Sequence, residues 1–256
     1  MARGTVRWFA LLWILSLLGG HAAAGEPRPE LIVAAAADLA FAFREIGPAF
    51  ERAHGTKVTF SLGSTGQLAQ QVRQGAPMDV FFAANIPFVE ELRVKGAVLA
   101  DSIEVYAQGR LVLATQRGRP PLPSLKDLAG SDVRRVAIAN PAHAPYGMAA
   151  REALEATGIW AQVQPKLVYG ENIRQALQFL QTGNVDAGII ALSVADVPEV
   201  RYTVIDASLH TPLLQAAAVT ARARHPALAR AFIRFVNGPQ GRPIMKRFGF
   251  LLPGEF

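Results

Sequence analysis

Strand-like and helix-like segments alternate along the chain from residue 31 almost to its end. Short apolar or alternating runs, such as LIVAAA (31–36) and KVTFSL (57–62), are each followed by a segment with apolar residues three or four positions apart. In the segment 38–55, which Gly55 closes, one helical face is apolar: Leu39, Phe43, Ile46 and Phe50. This alternation predicts an α/β fold, with parallel sheets covered by helices on both faces.

The length of 256 residues suits two α/β lobes of ordinary domain size. Two segments, YAQGRLVLAT (106–115) and HTPLLQAAAVT (210–220), each join a loop to a strand and are the candidate chain crossings between lobes. We therefore predict lobe 1 over 25–108 plus 217–256 and lobe 2 over 109–216, with a ligand cleft between them.

The first 24 residues have the pattern of an export signal. Arg3 and Arg7 precede an apolar run over 8–18, and three alanines at 22–24 form a small-residue cleavage site. The apolar run is shorter than the about 20 residues of a membrane span, and an uncleaved anchor is the alternative. We predict a signal peptide (1–24), cut after about Ala24, and a periplasmic mature protein.

The complete lack of cysteine excludes several function classes. It rules out thiol nucleophiles, zinc fingers, iron–sulfur clusters and a lipid anchor through Cys. The formal charge is +6 and the basic residues are scattered, which is typical of a solvated surface that attracts small anions and not of a nucleic-acid site. A DNA-binding regulator would need a helix-turn-helix before residue 31, where the sequence has only the export signal.

Four predicted strand-to-helix junctions are suited to binding an anion: Ala37-Asp38, Ser64-Thr65-Gly66, Pro145-Tyr146-Gly147 and Asn172-Ile173. In open α/β sheets, ligands bind beyond the carboxyl ends of the strands. Each helix start there has free N–H groups and roughly +0.5 of an elementary charge. Two junctions lie in each half of the chain, so facing lobes would bring all four to one cleft. Taken singly, each has an ordinary explanation, such as a plain turn over 63–66.

No catalytic motif accompanies these junctions. The loop over 63–66 lacks the lysine of a P-loop because Gln67 follows it, and no G-x-S-x-G elbow occurs. The five histidines show no metal-binding spacing, and we interpret His143, near the third junction, as a bystander. We expect a binding protein without a cofactor. The alternative is an enzyme on a similar scaffold, which turnover of a phosphate or sulfate ester dependent on Thr65 would reveal.

Taken together, these segments resemble the periplasmic molybdate-binding proteins of ABC importers. The resemblance covers nearly the whole mature chain, and its most specific stretches are GAPMDVFFAAN (75–85) and NPAHAPYG (140–147). It implies a two-lobed periplasmic-binding-protein fold of type II with two chain crossovers between the lobes. It also implies a molybdate or tungstate ligand, a membrane permease as partner, no nucleic acid, and a monomer.

The resemblance further implies which residues contact the oxyanion: Asp38, Thr65, Tyr146 and Ile173, with Ala37 and Ser64 as additional candidates. Thr65 would donate from its amide and its hydroxyl, and the other contacts would come from backbone amides. The loop over 63–66 would therefore bind an anion without transforming it.

Two positions depart from the family pattern. Asp38 stands where some members have Ser, and Ala191 stands where some members supply a Tyr hydroxyl. Because a carboxylate repels a dianion, we expect the Asp38 side chain to turn away and cap the helix, and we expect Tyr146 to supply the missing hydroxyl. The alternative is another tetrahedral oxyanion: phosphate, whose proton suits a carboxylate acceptor, or sulfate, which differs from molybdate mainly in bond length.

Overall fold

The computed structural model describes Met1 and residues 28–256. The predicted export signal, apart from Met1, and its cleavage site lie outside the described residues. Among the residues described, no helix has the length and apolar character needed to cross a membrane.

Ten strands are present in the described part of the chain: β1 (Glu30–Ala36), β2 (Lys57–Gly63), β3 (Val80–Ala83), β4 (Glu104–Gly109), β5 (Leu111–Gln116), β6 (Val136–Ala139), β7 (Leu167–Gly170), β8 (Ala187–Ala191), β9 (Val200–Val204) and β10 (Leu213–Val219). The α-helices of that part are α1 (Ala40–His54), α2 (Thr65–Arg73), α3 (Ile86–Val94), α4 (Pro145–Ala156), α5 (Trp160–Val163), α6 (Ile173–Gln181), α7 (Pro226–Asn237) and α8 (Gly241–Arg247).

The strands form two sheets, one in each lobe. Their orders are β2-β1-β3-β10-β4 and β7-β6-β8-β5-β9. The chain passes to the second sheet between β4 and β5 and returns between β9 and β10, which confirms the predicted α/β class with two crossings. Because β10 begins at Leu213, residues 213–216 lie in the first sheet, whereas the sequence assigned them to lobe 2.

Both sheets are mixed, which corrects the expectation of parallel sheets. Strand β10 is antiparallel to β3 and β4, and β5 is antiparallel to β8 and β9. Strands β10 and β5 are each the first strand after the chain crosses between lobes. The strands before the crossings, β4 and β9, end at the edge that faces the other lobe. A strand that starts at this edge must run away from it, opposite to its neighbours.

A cluster of phenylalanines holds α1 against the first sheet. The ring of Phe43 in α1 meets Phe82 of β3 with centroids 5.1 Å apart and Phe232 of α7 with centroids 5.6 Å apart, both edge to face. Phe43, Phe82 and Phe232 are all buried. This packing fixes the start of α1, and with it the turn over 37–39, beyond the end of β1.

Candidate functional site

A small cavity lies between the lobes, beyond the carboxyl ends of the parallel strands. Its volume is about 10 Å³, which is near the minimum that holds one water molecule. It is lined by Ala36, Ala37, Asp38, Gly63, Ser64, Thr65, Ala84, Ala144, Pro145, Tyr146, Asn172 and Ile173. All six residues predicted from the sequence therefore lie around one cavity. Their contact with an oxyanion stays a prediction.

Three helices begin at this cavity, and each supplies unpaired backbone amides. Helix α2 starts at Thr65, α4 at Pro145 and α6 at Ile173. The first amides of a helix have no acceptor within it. Proline has no N–H, so the first amide that α4 can offer is that of Tyr146. Ala37 and Asp38 belong to a short 3-10 turn before α1.

The Thr65 hydroxyl is held in place with its proton free. Its Oγ1 accepts a hydrogen bond from the Ala84 amide at 3.0 Å, and the residue is buried. A hydroxyl has one donor and two acceptor positions, so Thr65 can still donate to a ligand. The Ser64 hydroxyl is committed elsewhere, since it donates to Gln67 Oε1 at 3.0 Å and lies 2.8 Å from His143 Nδ1.

Asn172 determines how α6 presents its first amide. Its side-chain Oδ1 accepts from the Arg174 amide at 3.0 Å and from the Gln175 amide at 3.2 Å. This is an N-cap, which satisfies the second and third amides of the helix. The Asn172 cap does not reach the amide of Ile173, which is at the first helical position, and Ile173 lines the cavity.

The Asp38 side chain does not cap α1, so the capping prediction is wrong. Its Oδ2 accepts from Gln215 Nε2 at 2.7 Å and from the Tyr146 hydroxyl at 3.0 Å, while Oδ1 is buried without a partner. The N-cap position of α1 is Leu39, with no side-chain cap. The 3-10 turn over 37–39 is the reason, because it directs the carboxyl group inward, towards β10 and α4.

Burial is the main influence on the Asp38 carboxyl group, which is 1% exposed. Removal from water disfavours the charged form. It raises the pKa of Asp38 from its ordinary 3.8 to about 6, although hydrogen bonds from Gln215 and Tyr146, and to a smaller extent the backbone amides of Asp38 and Leu39, act in the opposite direction. This carboxyl group can therefore change protonation near neutral pH.

Gln215 connects Asp38 to two tyrosines and was not predicted from the sequence. Its Nε2 also donates to the Tyr146 hydroxyl at 3.0 Å, and its Oε1 accepts from the Tyr106 hydroxyl at 2.8 Å. We call Asp38, Tyr146, Gln215 and Tyr106 the Asp38 network. A polar Gln within the apolar strand LLQAAAV was the available signal. The Tyr146 proton is donated to Asp38 here, whereas we expected this hydroxyl to serve the ligand.

Neutral groups surround the Asp38 carboxyl group. Burial, together with the nearby charge of Asp38, raises the pKa of Tyr146 and of Tyr106 well above its ordinary value, so both tyrosines stay uncharged. Among the described residues that line the cavity there is no Lys, Arg or His. Residues 28–256 also contain no cluster of His, Asp and Glu suited to a metal ion. An anion here would meet backbone dipoles and the Thr65 hydroxyl, together with the Asp38 carboxyl group.

Direct hydrogen bonds close the lobes over the cavity. The Gly66 amide donates to the His143 carbonyl at 2.9 Å, and Gln67 Nε2 donates to Glu171 Oε2 at 2.8 Å. His143, which we interpreted as a bystander in any chemistry, does not line the cavity, but its backbone and its ring both contact lobe 1. Ala191, at the end of β8, is fully buried and does not line the cavity.

Comparison with known proteins places these features in a family. The profile of the family described as bacterial extracellular solute-binding protein matches residues 31–251. The molybdate-binding protein ModA of Rhodobacter capsulatus is 34% identical over 235 residues, which cover 90% of each chain. A putative ABC transporter substrate-binding lipoprotein of Bacillus subtilis is 29% identical over 230 residues, which cover 88% of this chain and 87% of the lipoprotein.

The fold comparison agrees with the sequence comparison. The periplasmic molybdate-binding protein of Azotobacter vinelandii superimposes with a TM-score of 0.81 at 31% identity, covering 87% of this chain and 99% of its own. The predicted two-lobed periplasmic-binding-protein fold is thereby confirmed.

Proposed function

Since the chain belongs to the family of bacterial extracellular solute-binding proteins, we propose that it captures molybdate and hands it to the permease of an ABC importer. Tungstate, which has the same shape and charge, is the second ligand of the proposal. The proposal is carried by one observation: three helix starts and one free hydroxyl meet around a single cavity, which no cationic side chain of the described residues lines. The names of the relatives support the choice of molybdate.

Hydrogen bonds alone are strong enough for this task. The candidate donors are the amides of Ala37, Asp38, Thr65, Tyr146 and Ile173, together with the Thr65 hydroxyl. A hydrogen bond to a charged group contributes about 1.5–3 kcal/mol. Six such bonds together reach the roughly 8–12 kcal/mol of a micromolar to nanomolar site before the ordering of ligand and lobes is subtracted.

Binding would also favour the closed arrangement of the lobes. The donors come from both lobes: Thr65 from the first, Tyr146 and Ile173 from the second. A ligand that contacts both lobes binds the closed form better and shifts the population towards it. We propose that the closed, loaded form, a periplasmic monomer freed of residues 1–24, is the one that the permease recognises.

Calorimetry on the mature protein tests the proposal. We expect tight binding of molybdate and tungstate and weaker binding of sulfate and phosphate. Thr65→Val removes the donor hydroxyl and should weaken binding about 10- to 150-fold, whereas Thr203→Val on the exposed side of β9 should have no effect. Tight binding of phosphate or sulfate alone would replace molybdate by that oxyanion, and turnover of an ester that requires Thr65 would favour an enzyme.

A further inference from the structure

The Asp38 carboxyl group accepts both of its side-chain hydrogen bonds on one oxygen. Oδ2 accepts from Gln215 and from Tyr146, and Oδ1 is buried with no partner. Buried polar atoms nearly always have a partner. Two accepted bonds on Oδ2 and none on Oδ1 are what a protonated carboxyl group would show. Its carbonyl oxygen accepts two bonds, and its hydroxyl oxygen has a proton to donate.

No positively charged group among the described residues next to Asp38 would offset the charge of a bound anion if Asp38 were ionised. Gln215 of β10, Tyr106 of β4 and Tyr146 of α4 are neutral, and Ser193 donates its hydroxyl to the Asp38 carbonyl at 2.9 Å. No cationic side chain lines the cavity among the described residues. An ionised Asp38 beside a dianion would place three negative charges together in a site shielded from water, where repulsion is strong.

We propose that the site takes up its oxyanion together with one proton from solvent, that this proton is held on Asp38 Oδ1, and that it is donated to an oxygen of the ligand. The inference rests on the proposed function, because it concerns the same cavity. One proton and one dianion enter per site, so the carboxyl group becomes neutral and the loaded site has a charge of −2. Asp38 thereby becomes a seventh donor and no longer repels the ligand.

The environment of Asp38 makes this protonation accessible. Burial already brings its pKa to about 6 in the protein without ligand, and a dianion nearby raises the pKa further because like charge disfavours ionisation. Above about pH 6, binding must then recruit a proton, and affinity falls about tenfold for each pH unit. Between pH 6.5 and 8.5 we expect molybdate binding to weaken roughly 50- to 100-fold.

Titration calorimetry in buffers of different ionisation enthalpy counts the protons directly. With molybdate as the probe, we expect uptake of about one proton per ion near pH 8 and about half a proton near pH 6, where free Asp38 is already half protonated. Sulfate should behave in the same way because it is also fully ionised. Monohydrogen phosphate brings its own proton and should show uptake near zero.

Two variants separate proton uptake from a structural role of Asp38. In Asp38→Asn we expect no proton uptake and no dependence of affinity on pH, with binding near pH 8 at least as tight as in the wild type. Asp132→Asn, the same change at an exposed site, should keep both properties of the wild type. Thermal unfolding of each variant confirms that it is folded. If Asp38→Asn fails to fold, the proton count of the wild type still decides.

The outcomes distinguish this inference from the proposed function. Molybdate binding near pH 8 without proton uptake would overturn the inference and leave the function intact. A persistent pH dependence in Asp38→Asn would overturn it as well, since another group would then hold the proton. Failure of molybdate to bind in any buffer would overturn the proposed function itself.

Discussion

Gly66→Ala should weaken ligand binding without harming the fold of lobe 1. The Gly66 amide, in the first turn of α2, donates to the carbonyl of His143 in the other lobe. A Cβ at this position would lie 2.8 Å from that carbonyl oxygen and 3.1 Å from the Cα and Cβ of His143. A backbone oxygen cannot swing aside as a flexible side chain would, so the lobes must separate here.

The size of the effect follows from the contacts that closure makes at this point. Separation lengthens the bond from Gly66 to His143 and the contact between Ser64 and the His143 ring, each worth about 0.5–1.5 kcal/mol. The closed form therefore loses about 1–3 kcal/mol, and oxyanion affinity falls about 5- to 150-fold if binding requires closure. Within α2 itself, Ala is favoured over Gly by up to about 1 kcal/mol.

The assay combines calorimetry with thermal unfolding in the absence of ligand. We expect a weaker dissociation constant together with an unchanged or higher melting temperature of the ligand-free protein. Gly118→Ala is the matched control, because a Cβ there would meet nothing within 4 Å, and it should bind as the wild type does. Unchanged affinity in Gly66→Ala would refute the reasoning, because lobe closure at His143 would then not be needed for binding.

Three further predictions concern the Asp38 network and the start of α6. Since the folded pKa of Asp38 is about 6 against 3.8 in the unfolded chain, its contribution to stability is present below pH 4 and is lost as pH rises to 6. Asp38→Asn should remove this loss, of which about 2 kcal/mol falls between pH 4.5 and 7.5, in urea unfolding compared at those two pH values. An equal pH dependence of the unfolding free energy in the wild type and in Asp38→Asn would contradict this prediction. Tyr146→Phe removes a donor to Asp38 and should raise the pKa of Asp38 further, moving the decline in stability to higher pH, and no such movement would count against the hydrogen bond. Asn172→Ala removes the cap of α6 and should lower the free energy of unfolding by about 1 kcal/mol and weaken binding through Ile173, whereas unchanged unfolding would show that the cap has no role.

Much of the site could be predicted because its donors belong to local structure. A helix start is recognisable from nearby residues, and its free amides follow from the geometry of any helix. Thr65, Tyr146 and Ile173 could therefore be placed at helix starts that follow strands from the sequence alone. The strand directions were predicted less well, because alternation of elements does not reveal at which edge the chain crosses between lobes.

Local sequence thus determined the elements, the helix starts and the lack of cysteine chemistry, while tertiary structure decided how the lobes meet. Asp38 contacts Tyr146 and Gln215 across 108 and 177 residues of chain, and Ser64 meets His143 across 79. No periodicity spans such distances. The direction of the Asp38 carboxyl group, and the proton that we assign to it, depend on which distant side chains enclose it, because burial and hydrogen-bond partners govern the charge of an ionisable group.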